Sequence, residues 1–141
     1  MQVTLHRPIT ICSIYLPPNL AVSVEDLENI TKQLPAPYML LGDFNAHNPM
    51  WGSSTINNKG NITEKLIKDL QLCLLNNKSP TYLHPASGSF SFIDLSLVHP
   101  TLYLDFEWTR SDDQYGSDHY PLIITSNNSV QNEERSYFKF N

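Results

Sequence analysis

Three short polar clusters interrupt an otherwise apolar sequence, and each contains side chains that can do chemistry. They span residues 42–47 (GDFNAH), 92–97 (FIDLSL) and 116–121 (GSDHYP). Carboxylate, amide and imidazole groups orient water, bind cations and transfer protons near neutral pH. The sequence therefore predicts acid–base or metal-assisted chemistry, provided that the fold brings the three clusters together.

The first cluster directly follows an apolar run at residues 38–42. The two-residue period of a strand places Asp43 and Asn45 on one face and turns Phe44 to the other. A carboxylate and an amide at the end of a buried strand are able to orient a water molecule and a phosphate oxygen. An Asx-turn that merely begins the loop explains the same residues equally well.

The other two clusters carry one unusual residue each. Asp94 lies in the middle of an apolar strand, where a carboxylate is costly unless it pairs with a cation or an imidazole. His119, next to Asp118 and just before an apolar run, is a candidate acid–base group. A solvated strand face and an ordinary turn are the alternatives, and the residues alone leave both open.

The elements that must position these clusters follow from the apolar pattern. Ser23 and Asp26 form the capping-box pattern of one helix, and Asn61 and Glu64 are the predicted cap of a second. The apolar run 38–42 indicates a strand that is covered on both faces, as in layered α/β folds. We predict helices over residues 23–34 and 62–73, strands over 9–16, 38–42, 90–98, 103–109 and 120–125, and short strands over 74–76 and 81–83.

Composition excludes several classes of protein. The 141 residues correspond to one domain, and a net charge of −5 argues against binding nucleic acid by bulk positive charge alone. Contact with phosphate through a bound metal ion remains compatible with that charge. No run approaches the ~20 apolar residues of a membrane span, and Met1–Pro8 lacks a signal-peptide core. We therefore expect a protein that is neither secreted nor membrane-bound, and composition leaves nuclear and cytoplasmic locations both open.

Taken in order, the motifs are similar to those of the endonuclease/exonuclease/phosphatase family, which includes DNase I-like nucleases and apurinic/apyrimidinic endonucleases. The intervening residues most resemble the endonuclease domain of non-LTR retrotransposons of the jockey or I type. The resemblance extends from about residue 9 to about residue 125. Its motifs are IYLPPN at 14–19, LGDFNAH at 41–47, WG at 51–52, NKG at 58–60, PT at 80–81, SFIDL at 91–95 and SDHYP at 117–121.

The resemblance implies roles for five catalytic residues in DNA phosphodiester hydrolysis. Tyr15 matches the tyrosine that contacts the scissile phosphate, and Asp43 matches the carboxylate that positions or deprotonates the attacking water. Asn45 matches the amide partner of that carboxylate. Asp94 matches the carboxylate that orients the catalytic histidine, and His119 matches that histidine, which stabilises charge on the phosphate.

The same resemblance implies a cofactor and partners. Asp118 matches a residue at or near a bound Mg²⁺ or Mn²⁺ ion. His47 and Trp51 match the retrotransposon pattern and are candidates for contact with DNA, although packing within the loop explains them equally well. The implied partners are DNA and a reverse transcriptase domain in a longer polyprotein. Outside these motifs, His6, His84 and His99 are predicted to be surface residues.

The fold implied by the resemblance is an α/β, DNase I-like, two-sheet β-sandwich flanked by helices in four α/β/β/α layers. We expect it over residues 1–126, followed by a polar tail or linker over 127–141. The family places its principal metal-binding glutamate ahead of the tyrosine strand, whereas none of the fourteen residues before Tyr15 is acidic. We therefore expect an incomplete, N-terminally truncated sandwich in which strand 120–125 has an unpaired edge and an exposed apolar face.

The missing glutamate leaves several interpretations of function. In the first interpretation, the chain is a fragment or truncated gene product of a DNA-nicking endonuclease, which binds Mg²⁺ weakly and has weak or no activity alone. Alternatively, it is an inactive domesticated remnant that binds nucleic acid or protein. A phosphatase or phosphodiesterase of the same fold, acting on a lipid or inositol phosphate, is a second alternative that the stretch 47–51 disfavours.

Overall fold

The structure is a computed structural model that describes residues 2–4, 7–127 and 137–140, with side chains described for residues 7–127. Two sheets pack face to face, and two helices cover the outer face of the larger one. The helices are α1 (Val24–Thr31) and α2 (Asn58–Leu70). The strands are β1 (Gln2–Thr4), β2 (Pro8–Tyr15), β3 (Tyr38–Asp43), β4 (Cys73–Leu74), β5 (Tyr82–Leu83), β6 (Phe90–Ser91), β7 (Asp94–Val98), β8 (Phe106–Arg110), β9 (Leu122–Ser126) and β10 (Tyr137–Phe140).

The larger sheet has the strand order β1-β2-β3-β7-β4, with β3 at its centre. β3 runs parallel to β2 and antiparallel to β7. Its residues from Tyr38 to Leu41 are buried, because side chains of successive residues enter the cores on opposite faces of the sheet. The expectation of a central strand covered on both faces is therefore confirmed.

Two apolar cores account for the layered architecture. The first lies between the larger sheet and the helices, and joins Leu40 and Leu97 to Leu27 and Leu66. The second lies between the two sheets. Its members are Ile9, Ile11, Met39, Leu41 and Val98 from the larger sheet, Phe106, Trp108, Leu122 and Ile124 from the smaller sheet, and Leu75 and Leu102 from the connecting segments.

The smaller sheet corrects the expectation for strand 120–125. That segment forms β9, which lies between β8 and β10 in the order β10-β9-β8 and therefore has no unpaired edge. Its side chains Leu122 and Ile124 are buried against the larger sheet. β10 comes from the segment that the sequence assigned to a polar tail, and it provides the second partner of β9.

The α/β sandwich expected from the sequence is confirmed in its two sheets and in the helical layer that covers the larger sheet. A second helical layer, outside the smaller sheet, does not occur among residues 7–127. Neither described helix is long and apolar enough to cross a membrane.

Both helices begin at a side-chain cap. Ser23 Oγ accepts the N–H of Asp26 while Asp26 Oδ2 accepts the N–H of Ser23, so the predicted capping box is present. The helix ends at Thr31, three residues earlier than predicted. The second helix begins four residues earlier than predicted, because Asn57 rather than Asn61 is its cap and accepts the N–H of Gly60.

The predicted strand 90–98 is divided between two sheets. β6 pairs with β5 in a short hairpin, whereas β7 belongs to the larger sheet, and Phe92 and Ile93 connect them. Apolar, β-branched composition alone does not show where a strand leaves one sheet for another. The break has a structural consequence, since it places Asp94 at the first position of β7.

Candidate active site

The structure brings together the three residues that carry the strongest sequence signals. His119 Nδ1 lies 2.9 Å from Asp94 Oδ2, and His119 Nε2 lies 3.9 Å from Asp43 Oδ2. Each residue offers a ligand atom, and these atoms all lie within 4.8 Å of one another. The group borders an open cavity of about 270 Å³ that Tyr15 and Tyr120 also line.

Sheet register explains why these residues meet. Tyr15 is the last residue of β2 and pairs with Asp43, the last residue of β3. Asp43 pairs in turn with Asp94, the first residue of the antiparallel strand β7. Three neighbouring strands thus present Tyr15, Asp43 and Asp94 in one row, at the edge where the loop that carries His119 arrives.

The Asp94–His119 pair has a defined protonation pattern. An ionised carboxylate only accepts hydrogen bonds, so Nδ1–H of His119 is the donor and Asp94 Oδ2 is the acceptor. This hydrogen bond raises the pKa of His119 above its ordinary value, against the opposing effect of burial. The imidazole is therefore held in one orientation and favours its charged form.

Asp43 carries an unusually basic carboxylate. Burial raises its pKa to about 6, and the nearby charge of Asp94 adds to the rise, although a hydrogen bond from the Asn45 amide opposes it. Asp43 therefore titrates close to neutral pH, where a carboxylate serves best as a proton acceptor.

Asn45 lies beside this group in a strained turn. Its N–H donates to Asp43 Oδ1 at 2.8 Å, so the predicted Asx-type turn is present. Its φ of 47° is in the left-handed region, which asparagine tolerates better than most residues. Its side-chain Nδ2 donates to the carbonyl oxygen of Leu16 at 2.8 Å, which ties the segment after β2 to the segment after β3.

Gly42 allows this close approach of β2 and β3. Its φ is 150°, and a Cβ atom at this position would lie 1.8 Å from the carbonyl oxygen of Ile14. A larger residue would push apart the two strand ends that carry Tyr15 and Asp43. The glycine of the GDFN motif is thus required by strand packing next to the site.

Tyr15 and Asp118 occupy exposed positions around the group. Tyr15 is 64% exposed, and it lines the cavity. Asp118 is exposed and lies close enough to His119 to favour its charged form. The carboxylates that share the 4.8 Å group with His119 are Asp43 and Asp94, so a role for Asp118 as a metal ligand stays a prediction.

The two candidates for contact with DNA differ in accessibility. Trp51 is only 1% exposed, and its Nε1 donates to the carbonyl oxygen of Ala46, so it packs inside the loop and has no surface to offer to DNA. His47 is half-buried, and burial together with the nearby His84 lowers its pKa. Contact of His47 with DNA stays a prediction.

Sequence analysis assigned no role to two residues that support the Asp94–His119 pair. Thr81 is fully buried, and its Oγ1 accepts the N–H groups of both Ile93 and Asp94. Asn76 donates from Nδ2 to the carbonyl oxygen of Asp94. The sequence places Asn76 at the end of the predicted strand 74–76 and Thr81 in the PT motif, but neither pattern indicates a contact with Asp94.

A chain of aromatic contacts also supports His119. The Tyr82 ring contacts His119 edge-on at a centroid distance of 4.8 Å and His84 at 4.6 Å. His84 is half-buried and its Nε2 lies 2.8 Å from Ser91 Oγ, so it is not the surface residue that the sequence suggested. The hairpin of β5 and β6 thus contacts the histidine through Tyr82, in addition to the hydrogen bond that His119 donates to Asp94.

Comparison with known proteins shows what this chain is similar to. A family described as endonuclease-reverse transcriptase matches residues 9–123. The chain is 28% identical over 123 residues to the probable RNA-directed DNA polymerase from transposon X-element of Drosophila melanogaster. It is 26% identical over 125 residues to the RNA-directed DNA polymerase from mobile element jockey of Drosophila funebris. These alignments cover 86% and 85% of this chain but only 13% of each relative.

A solved structure supports the fold. The endonuclease domain of TRAS1, a telomere-specific non-LTR retrotransposon, superimposes with a TM-score of 0.76 at 22% identity. The match covers 87% of this chain and 58% of that chain. The two-sheet arrangement is therefore the fold of the TRAS1 endonuclease domain.

Proposed function

This chain belongs to the endonuclease-reverse transcriptase family, and on that premise we propose that it is a DNA-nicking nuclease domain of a non-LTR retrotransposon. The reaction is metal-dependent hydrolysis of a DNA phosphodiester. The observation that carries the proposal is the oriented Asp94–His119 pair facing Asp43 across an open cavity. Such a group suits a reaction in which negative charge develops next to a histidine.

The residues present fit a divalent cation. Asp94 Oδ2 is engaged by His119 and Asp43 Oδ1 by the Asn45 amide. Among the described residues, this leaves Asp94 Oδ1 and Asp43 Oδ2, which lies 3.9 Å from His119 Nε2, without a hydrogen bond. Mg²⁺ is commonly held by one or two carboxylates together with water and substrate phosphate. When bound, the ion supplies positive charge that offsets the charge of the phosphate oxygens.

The side chains of this chain perform the remaining tasks. Asp94 holds His119 as the Nδ1–H form, so that Nε2 faces the substrate, and the charged imidazole stabilises a phosphate oxygen. Asp43, with its pKa near 6, accepts a proton from the attacking water at neutral pH. Asn45 positions Asp43 through its backbone amide, and exposed Tyr15 contacts the scissile phosphate.

Metal binding by these 141 residues is weak in this proposal. The described group has only two carboxylates, and the raised pKa of Asp43 leaves that ligand partly protonated near pH 6. Because a carboxylate must lose its proton to bind a cation, affinity increases as pH rises through 6. Asp118 is a further candidate ligand once DNA and metal are both present.

The partners follow from the relatives. The X-element and jockey proteins are RNA-directed DNA polymerases, and this chain spans 13% of their length. We place the nuclease in a longer polyprotein with a reverse transcriptase domain, where its nick in DNA provides the end from which reverse transcription starts.

The proposal is tested by a nicking assay on supercoiled plasmid with titrated Mg²⁺ or Mn²⁺. We expect slow, metal-dependent conversion to the open circle by this chain, and faster conversion by a version lengthened at its N-terminus with upstream-encoded residues. Equal rates for the two versions would contradict the proposed weak metal site. His119→Ala is the control that separates this activity from a contaminating nuclease.

A substrate panel in the same buffer distinguishes the alternatives. Phosphate release from inositol phosphates or phosphoinositide vesicles without plasmid nicking would identify a phosphatase of the same fold. Binding of DNA without cleavage at any metal concentration, in both versions, would identify an inactive remnant. Either outcome overturns the nuclease proposal.

A further inference from the structure

The outer edge of β7 is completed by a side chain and not by a strand. β4 contributes only two paired residues, Cys73 opposite Val98 and Leu74 opposite Leu97. The N–H of Leu75 then donates to the carbonyl oxygen of Ser96, after which the backbone no longer follows β7. The remaining backbone groups on this edge belong to Asp94 and Ser96, beside the candidate active site.

Asn76 takes over these groups with its amide. Its Nδ2 donates to the carbonyl oxygen of Asp94 at 2.8 Å, and its Oδ1 accepts the N–H of Ser96 at 2.8 Å. A primary amide carries a donor and an acceptor side by side, as a backbone peptide group does. Asn76 thus replaces the ladder pair that a longer β4 would have made.

The Asp94 residue is consequently held from both sides through its main chain. Thr81 Oγ1 accepts its N–H and Asn76 Nδ2 donates to its carbonyl oxygen. With both peptide groups fixed, the Cα–Cβ direction of Asp94 is fixed, and so is the point from which its carboxylate reaches His119.

We propose that Asn76 is a positioning residue for the Asp94–His119 pair, which it serves by fixing the main chain of Asp94 at the edge of the sheet. Asn76 does not itself line the cavity, and its side-chain hydrogen bonds among the described residues go to the main chain of Asp94 and Ser96, so it acts on His119 through Asp94. The inference rests on the proposed nuclease function for its kinetic consequence, but not for its structural one.

Three variants separate this role from general support of the fold. Asn76→Ala removes both hydrogen bonds at a half-buried position. Asn76→Asp keeps an acceptor for the Ser96 N–H but loses the donor to Asp94. Asn77→Ala is the matched control, because the neighbouring Asn77 is exposed and its side chain accepts only from Ser79 N–H among the described residues.

The first readout is the NMR signal of the His119 Nδ1–H proton in the full ¹⁵N-labelled chain, assigned by its loss in His119→Asn. A hydrogen bond to a carboxylate shifts this proton downfield and slows its exchange with water. We expect the signal to weaken or move upfield in Asn76→Ala and in Asn76→Asp, and to stay unchanged in Asn77→Ala.

The second readout is the nicking rate. We expect kcat to fall about tenfold in Asn76→Ala, with little change in KM, as is common for residues that orient a catalytic group from behind. An unchanged His119 signal in Asn76→Ala, with only a lower melting temperature, would overturn the proposal. So would full recovery of the signal in Asn76→Asp, because the bond to Asp94 would then be dispensable. If the wild-type chain fails to nick DNA, the proposed function fails while the NMR result still decides the role of Asn76.

Discussion

Two neighbouring regions meet within the LGDFNAH motif at residues 41–47 but have opposite energetics. The corner formed by Asp43, Asp94 and His119 borders an open cavity and holds a carboxylate whose pKa is raised to about 6. The loop over residues 44–57, which follows immediately, encloses Trp51 at 1% exposure. The corner keeps charged groups close together, at a cost in stability, whereas the loop buries apolar and polar groups with their partners.

The loop is held to helix α2 by a set of satisfied hydrogen bonds. Asn57 Oδ1 accepts the N–H groups of His47 and Gly60, and Asn57 Nδ2 donates to the carbonyl oxygen of Asn45. A Cβ atom at Gly60 would lie 1.9 Å from the carbonyl oxygen of His47, so the helix and the loop are in direct contact. The comparison separates two kinds of residue in adjoining segments, the candidate reacting residues of the corner and those that hold the neighbouring loop in place.

The largest predicted effect is on stability, in the loop. Trp51→Ala is expected to lower the free energy of unfolding by about 4 kcal/mol, because it empties a fully buried site and removes the hydrogen bond to Ala46. Urea denaturation measures the change. Leu104→Ala, at a residue that is 83% exposed, is the control and should be close to neutral. A loss below about 1 kcal/mol for Trp51→Ala would show that the loop does not carry stability.

The second prediction concerns the corner, where the substitution is expected to raise the free energy of unfolding. Asp43→Asn keeps the acceptor for the Asn45 N–H but removes a charge that burial disfavours. Because the folded pKa of about 6 lies above the ordinary carboxyl value of 3.8, the wild type loses stability as pH rises through that interval. We expect Asp43→Asn to be more stable by about 2 kcal/mol at pH 8 and no more stable below pH ~4.

Denaturation at both pH values in metal-free buffer checks this result. Glu107→Gln, at an exposed position of β8, controls for a general effect of net charge. A destabilised Asp43→Asn at pH 8 would mean that the carboxylate is stabilised in the fold, and the contrast between the corner and the loop would disappear.

A third prediction distinguishes the two candidate caps of α2. Asn57→Ala should lower the free energy of unfolding by about 1–2 kcal/mol, because the N–H groups of Gly60 in the helix and His47 in the loop lose their acceptor. Asn61→Ala, at the position that the sequence suggested, should cost well under 1 kcal/mol. Thermal denaturation of the two variants is sufficient, and equal losses would contradict the cap that the structure places at Asn57.

The smallest predicted effect is on the pKa of His119. Asp94→Asn should lower the pKa of His119 towards its ordinary value, because the hydrogen bond that raises it is the leading cause of the shift. The Asp94–His119 bond therefore contributes stability below the ordinary histidine pKa, and this contribution disappears as pH rises through the raised pKa. NMR titration of the His119 ring checks the direction. A His119 pKa that stays raised in Asp94→Asn would assign the shift to other charges.

The sequence identified the residues that meet in the corner better than the residues that hold them in place. Asp43, Asp94 and His119 stand out because a charged or titratable residue in or beside an apolar strand needs an explanation. Thr81, Asn76 and Asn57 have no such feature, and Thr81 is only part of the PT motif. Their side-chain partners are backbone groups, most of them ten or more residues away in the sequence. Those contacts depend on tertiary structure, which local patterns do not contain.

Strand limits failed for a related reason. The sequence predicts one strand over residues 90–98, yet within it the chain passes from the β5–β6 hairpin to the larger sheet. The strand at 120–125 was expected to have an exposed edge because its family partners were missing, but β10 pairs with it from further along the chain. Which strands pair is determined by the assembled sheets and not by the composition of any one segment.

The claim that the Asp43–Asp94–His119 corner is the hydrolytic centre is tested most directly by comparing nicking rates of the wild type, His119→Ala and Asn77→Ala. The assay uses supercoiled plasmid in saturating Mg²⁺ at pH 7.5, with folding of each protein verified by its melting temperature. We predict slow, metal-dependent nicking by the wild type and Asn77→Ala, and a loss of at least about a hundredfold in His119→Ala while that variant remains folded at the assay temperature. Nicking by His119→Ala at the wild-type rate would contradict the account.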